Sequence, residues 1–216
     1  MNSSVHHLFR EQTAGKKKRE RTRGVLLDSA ISVFASKGYA ATKITDITNH
    51  AELANGTFYN YYDDKDALLH DVAIGLAVEI TSGIDAELQA LIHAPTRVTL
   101  ATARCLQIAR QKPEWLRVLL ESLFVVPEMQ SAAVKYLRQD LELGIEQGHF
   151  TIEINLLLVN QILSLIRTAA IVDPQMSDVT IQRSCEALLR LLGLSSKNSA
   201  NLVARVFKVH LEHGDA

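Results

Sequence analysis

Apolar residues recur at helical spacing along this 216-residue chain from about residue 22 to about 210, and no strand pattern competes with that periodicity over a comparable length. Leu27, Ala30, Ile31 and Phe34 fall at i, i+3, i+4 and i+7, with Gly38 as a stop. Thr42 suits the N-cap of the next helix, whose inner stripe is Ile44, Ile47 and Ala51. Asp64 suits the cap of a long helix from Lys65 to about Ile92, with Leu69, Val72, Leu76, Ile80, Ile84 and Leu88 along one side. Pro95-Thr96, Pro113 and Pro127 each stand where a helix opens, which predicts helices over 96–111, 113–123 and 127–147. Asn155 suits the cap of an apolar helix over 156–171, Ser177 or Asp178 opens another ending at Gly193, and Ser195 or Ser196 caps a last one towards His210. Only 4 Pro and 10 Gly interrupt the chain, so the predicted fold class is all-α, with about nine or ten helices.

Composition narrows the function classes. A hydrophobic content of 47% is enough to bury a core in one or two domains. Cys105 and Cys185 have no metal-ligand or disulfide-framework spacing, which points to two free thiols in a reducing cytoplasm. The most apolar segment, Ile154–Val172, is broken by Asn155, Asn160, Gln161, Ser164, Arg167 and Thr168, and no signal-peptide run opens the chain. The expected location is therefore cytoplasmic, with no membrane partner. The sequence has no phosphate-binding Gly loop, no GxSxG and no HExxH, so neither an enzyme nor a cofactor or metal is expected. His210-x-x-His213 reads as a solvated tail.

A net charge of -1 hides an asymmetry. Residues 1–70 hold 10 Lys and Arg against 8 Asp and Glu, while residues 71–216 hold 13 against 16. Seven basic residues lie in Arg10–Arg23, against Glu11 and Glu20. Residues 1–20 read as a basic flexible N-terminal arm, with Lys16, Lys17, Lys18, Arg19, Arg21 and Arg23 as candidates to neutralise phosphates or enter a minor groove.

The segment after the first helix carries the chemistry. From Thr42 to Leu69 the pattern is a short amphipathic helix, a tight turn and a second short helix over 55–61 with hydroxyl and amide side chains. Such a helix-turn-helix lays its second helix in a DNA major groove. Phe58 points inward with Leu53, Ile47 and Phe34 and sets the angle of presentation. Tyr59 and Tyr61 are rigid phosphate donors, and Thr57 offers either a hydroxyl to phosphate or a methyl to thymine. Asn55 and Asn60 are suited to reading a base edge, Gly56 lets the backbone approach closely, and Lys65 offers a charge at the start of the long helix.

This segment resembles the TetR family of one-component transcriptional regulators: Gly56-Thr57-Phe58-Tyr59-x-Tyr61-Tyr62, with Lys65 and Leu68 behind it, matches that family's recognition segment. The resemblance implies DNA-contact roles for Thr42, Lys43, Gly56, Thr57, Tyr59, Tyr61 and Lys65. It also implies a helix-turn-helix domain over 21–70 and a ligand-binding and dimerisation domain over 71–216. Two positions depart from the family pattern. Glu52 stands where the turn has Gly, so a non-Gly residue has to turn left-handed at a cost of about 1 kcal/mol. Ala54 stands where a Ser or Thr caps the recognition helix, a loss of about 1 kcal/mol unless Asn55 takes over.

Beyond residue 70 the order of elements still looks like the family's regulatory domain. The helices 156–171 and 178–192, with Leu157, Leu158, Leu165, Leu188, Leu189 and Leu192, are the candidate homodimer interface. Candidate pocket residues are Cys105, Gln107, Trp115, Phe124, Met129, Tyr136, His149, Phe150, Asn160 and Ser164. Their mostly apolar character suits a small hydrophobic effector. The reading is a repressor that binds a palindromic double-stranded DNA operator as a dimer and is released by that effector. A ligand-independent or activating regulator of the same fold, or a helical adaptor that binds no DNA, are the alternatives.

Overall fold

The computed structural model describes residues 7–211, apart from the side chains of residues 124, 127–134 and 136. Among the described residues the chain forms eleven α-helices and no strand: α1 (Leu8–Thr13), α2 (Lys18–Lys37), α3 (Ile44–His50), α4 (Asn55–Phe58), α5 (Lys65–Leu88), α6 (Ala94–Gln111), α7 (Pro113–Val125), α8 (Pro127–Glu146), α9 (Leu156–Val172), α10 (Asp178–Leu191) and α11 (Ser196–Val206). A π-type turn over Phe207–Leu211 extends the last. The caps are those the sequence offers: Asn155, Ser177 and Ser195 accept from the backbone N–H three residues on, and Asp64 Oδ1 accepts from Ala67 N at 2.8 Å.

The helices divide into two compact units: Met1–Val78 with Glu114–Met129, and Glu79–Pro113 with Gln130–Ala216. This differs from the expected break at residue 70, because α5 contributes to both units and α7 returns to the first. Arg117 Nη1 donates to the Ala35 carbonyl at 2.5 Å, and the Glu121 carboxylate accepts the Tyr39 N–H at 2.9 Å. Both bonds hold α7 against the end of α2.

In the first unit Leu26, Leu27, Phe34, Ile47, Phe58, Leu68, Leu69, Leu76 and Trp115 are fully buried. The expected flexible arm is not what residues 8–20 form. Leu8 and Phe9 are buried, and the α1 amides of Phe9 and Arg10 donate to the buried Asp28 carboxylate at 3.0 and 2.9 Å. Two glycines make room for Phe9: a Cβ at Gly24 would lie 2.7 Å from its carbonyl oxygen, and one at Gly75 2.4 Å from its ring. Desolvation raises the Asp28 pKa against the lowering effect of those two amides. The charges of this segment dominate its sequence, but the Leu8-Phe9 pair is what anchors it.

The second unit is built on α6 and α8 to α11, and α10 packs on α6, α9 and α11. Its core brings together Val98, Leu141, Phe150, Leu158, Ile162, Leu188 and Leu192, with Leu165 packed against them half-buried. Four expected interface residues, Leu158, Leu188, Leu189 and Leu192, are therefore core, each at most 6% exposed. Helical spacing reports that a face is apolar, and in α10 that face turns inward. Leu157, in contrast, is 68% exposed.

His93 caps α6 in this unit: its Nδ1 accepts the Thr96 N–H at 3.3 Å, and its ring meets that of His149 edge-on with centroids 4.7 Å apart. Burial, then the charges of His149 and Arg205, lower the His93 pKa from 6.5. A lowered folded-state value means the neutral ring stabilises the fold above about pH 6.5, a contribution lost as pH falls through the folded-state pKa. Thermal unfolding between pH 8 and 5 is expected to show a larger fall in Tm for the native chain than for His93→Asn, which caps without titrating.

Candidate nucleic-acid interface

The turn between α3 and α4 is closed by Ala51 N donating to Ile47 O at 2.9 Å and Leu53 N to Thr48 O at 2.9 Å. Glu52 takes φ 55°, the left-handed conformation foreseen for a residue standing in for glycine. Ala54 leaves α4 without a side-chain cap, and Asn55 does not replace it, since its Oδ1 accepts from Thr48 Oγ1 at 3.4 Å. Accordingly α4 is shorter than the expected 55–61. It ends at Phe58 and continues as a turn in which Tyr61 N and Tyr62 N both donate to Phe58 O, at 2.9 and 3.1 Å.

This short helix is sharply two-sided. Phe58 is fully buried, and its ring meets Tyr62, also buried, with centroids 5.9 Å apart. Asn55, Gly56 and Asn60 are exposed, Tyr59 is 56% exposed, and Thr57 and Tyr61 are half-buried. A Cβ at Gly56 would meet nothing within 4 Å, so the glycine leaves bare backbone on the outer side. The outward side therefore carries hydroxyl and amide groups with little apolar surface beyond the Tyr59 ring.

The start of α2 lies against this segment. Arg19 donates to the Asn60 carbonyl at 3.5 Å and places its guanidinium carbon 5.8 Å from the Tyr61 ring centre. Lys16, Lys17, Lys18, Arg19 and Arg21 are exposed, and Lys16 stands 3.9 Å from its i,i+4 partner Glu20. Lys43 is exposed at the N-cap of α3, where its N–H donates to Asp46 Oδ2 at 2.9 Å. Lys37, 2.6 Å from Asp46, and that same N–H hold the Asp46 carboxyl below its ordinary range.

Three expected contact residues are occupied within the protein. Thr42 is buried and its hydroxyl donates to Gly38 O at 2.8 Å. Lys65 donates to Tyr39 O at 2.7 Å and Thr42 O at 2.9 Å, and its ammonium lies 4.2 Å from the Tyr39 ring centre. It fixes the segment leading into α3. Arg23 pairs with Asp71 at 2.5 Å. The hydroxyl of Tyr39, which no motif in the sequence singles out, hydrogen-bonds Asp66 beside Lys65. The sequence marks these residues as polar, and nothing in it says where their partners stand.

The expected pocket residues are scattered. Trp115 is buried in the first unit; Phe150 is buried in the second, with Cys105 and Gln107 half-buried there. Gln107 accepts from Arg104 at 2.9 Å. Burial pushes the thiols up, Cys105 to about 11 and Cys185 to about 12, and both are free. His149, Asn160 and Ser164 are exposed rather than buried in a core; the Asn160 amide donates to Leu156 O at 2.8 Å along its own helix. Phe124, Met129 and Tyr136 lie outside the residues whose side chains are described.

Residues 26–72 match the family model of bacterial regulatory proteins of the tetR family. Over 155 residues the chain is 26% identical to the HTH-type transcriptional repressor KstR2 of Rhodococcus jostii (strain RHA1), which spans 67% of this chain and 74% of that protein. Among solved structures, RolR in complex with resorcinol is 25% identical with a TM-score of 0.66, covering 87% of this chain and 95% of its own. A tetR-family regulatory protein from Rhodococcus RHA1, 21% identical, shares the fold with a TM-score of 0.62 over 81% of this chain and 98% of its own. With the helix-turn-helix matched by sequence and the fold shared along most of its length, the chain belongs to the TetR family of bacterial regulatory proteins and is a DNA-binding transcriptional regulator.

Proposed function

We propose that the protein is a cytoplasmic repressor that grips a palindromic operator as a homodimer and is released by a small hydrophobic effector. The observation that carries the DNA side is the two-sidedness of α4: Phe58 and Tyr62 are locked inward, while Asn55, Gly56, Tyr59 and Asn60 face out beside Arg19. On this reading Tyr59, Tyr61, Thr57, Arg19, Lys43 and Lys16 to Lys18 hold phosphates and Asn55 and Asn60 read base edges. Thr42, Lys65 and Arg23 act one step back, by holding the segments that present the others.

A single short helix covers only a few base pairs, so specificity asks for two of them about 34–36 Å apart. The surface available for this is on α9, where Leu157, Gln161, Ser164, Thr168 and Ile171 succeed one another at alternating spacings of four and three and are all exposed. Leu156, Val172 and, on α10, Val179 add exposed apolar area. A stripe that is apolar at its ends, with the uncharged polar side chains of Gln161, Ser164 and Thr168 between, suits packing against a copy of itself. Repression is supported by the likeness to KstR2 and release by a small molecule by the likeness to the resorcinol-bound RolR.

Gel shifts on the operator and on scrambled DNA test the contacts. Tyr59→Phe is expected to weaken operator binding roughly 25-fold or more, the loss of one phosphate hydrogen bond at each of the two half-sites, with folding intact because the residue is exposed. Asn60→Ala is expected to lower discrimination between the two DNAs more than it lowers affinity for the scrambled one. Unchanged binding and unchanged discrimination in the two variants would remove α4 from the interface. Release is tested by adding hydrophobic compounds to the preformed complex. A panel in which no compound both stabilises the protein and frees the DNA would favour a ligand-independent regulator.

A further inference from the structure

The second unit has an open cleft of about 430 Å³ whose chemistry differs from that expected of a hydrophobic effector site. It lies where the start of α6, the turn after α8, the turn before α11 and α11 itself, from Asn198 to Arg205 in its last turn, come together. Three basic groups line it, His93, His149 and Arg205, and no lining residue is an Asp or Glu. Its apolar lining is Pro95 and Leu202, both buried, with Leu194 half-buried.

The basic groups are uncommitted in a way that matters. Arg205 is exposed and makes no ion pair or hydrogen bond among the described residues. His149 touches His93 through its ring, with no hydrogen bond to its nitrogens among the described residues. His93 meets the Thr96 N–H at 3.3 Å and the Thr96 hydroxyl at 2.8 Å through Nδ1, and its Nε2 has no hydrogen bond among the described residues. The lowered His93 pKa records the same situation, since the two neighbours that add to burial are both basic. The cleft thus gathers donors and positive charge over an apolar floor, with no acid to neutralise them.

We propose that this cleft binds a small organic carboxylate. The guanidinium of Arg205 takes the carboxylate oxygens, as its forked donors are shaped to do, and His149 supplies a further donor. The apolar body of the ligand rests on Pro95, Leu194 and Leu202. A volume of about 430 Å³ falls in the range of small-molecule sites.

The test is a titration of the full-length protein with benzoate, followed through the imidazole signals of His93 and His149 by NMR at fixed pH and ionic strength. Benzyl alcohol and inorganic phosphate are the comparison ligands. Benzoate is expected to shift both signals saturably, and benzyl alcohol is expected to leave them in place. Arg205→Gln and His149→Gln, both at exposed positions, are expected to keep the native circular dichroism, with Arg205→Gln weakening benzoate about tenfold for the lost charge-assisted bonds. Absence of saturation by benzoate, or equal shifts from benzyl alcohol, would overturn the assignment. Phosphate saturating as tightly as benzoate would also overturn it, in favour of an inorganic anion site.

Discussion

Aspartate placed together at Leu157 and Ile171 is expected to leave a folded protein that sediments as a monomer of 23.9 kDa. The two side chains are 68% and 66% exposed, so charging them disturbs no core in the isolated chain. In a dimer they would meet their counterparts across the α9 stripe, and four carboxylates would have to be desolvated without partners. Operator affinity is expected to fall roughly a thousandfold or more, towards the level of non-specific binding, because each monomer holds a single half-site. Circular dichroism should stay native. Sedimentation as an unaltered dimer would take α9 out of the interface.

A charge at Leu188 should do the opposite and remove the fold itself. Leu188 is 1% exposed, in the cluster with Leu141, Phe150, Leu158 and Ile162. Leu188→Ala is expected to cost about 2–5 kcal/mol through lost transfer energy and the cavity left behind. Leu188→Asp adds the desolvation of a carboxylate with no partner, and the sum approaches the whole stability of a typical domain, about 5–15 kcal/mol. Denaturant unfolding distinguishes the cases: native-like stability in Leu188→Asp would contradict the inward placement of α10.

The contrast between Leu157 and Leu188 shows what the sequence carries and where it stops. Helix starts are legible because Asp64, Asn155, Ser177 and Ser195 announce them by local hydrogen bonding, which needs no tertiary partner. The left-handed Glu52 is legible only through the resemblance, which places a glycine at that position of the turn. The face a leucine turns to is not legible, because α9 is apolar on more than one side, and for α10 spacing marks one apolar face without saying whether its own unit or a partner covers it. The same holds in the DNA-binding segment. The outward positions of Tyr59 and Asn60 follow from helical spacing about Phe58, whereas the capture of Lys65 by Tyr39 and Thr42 depends on a contact 23 to 26 residues away. Docking of α1 is hidden for that reason too, since its anchors, Asp28, Gly24 and Gly75, sit on other helices.

Phosphate contact by the outer side of α4 and the basic start of α2 is tested most directly by the slope of log affinity against log salt for operator DNA. The slope is compared between the native chain and a variant carrying Lys17→Gln, Lys18→Gln and Arg19→Gln. Each phosphate neutralised contributes about 0.9 to that slope. A steep negative slope is expected, shallower in the variant by about 0.9 for each of the three positions in contact, and by twice that when both half-sites of the dimer are counted. A flat salt dependence, or a slope identical in the two proteins, would contradict phosphate contact at these positions.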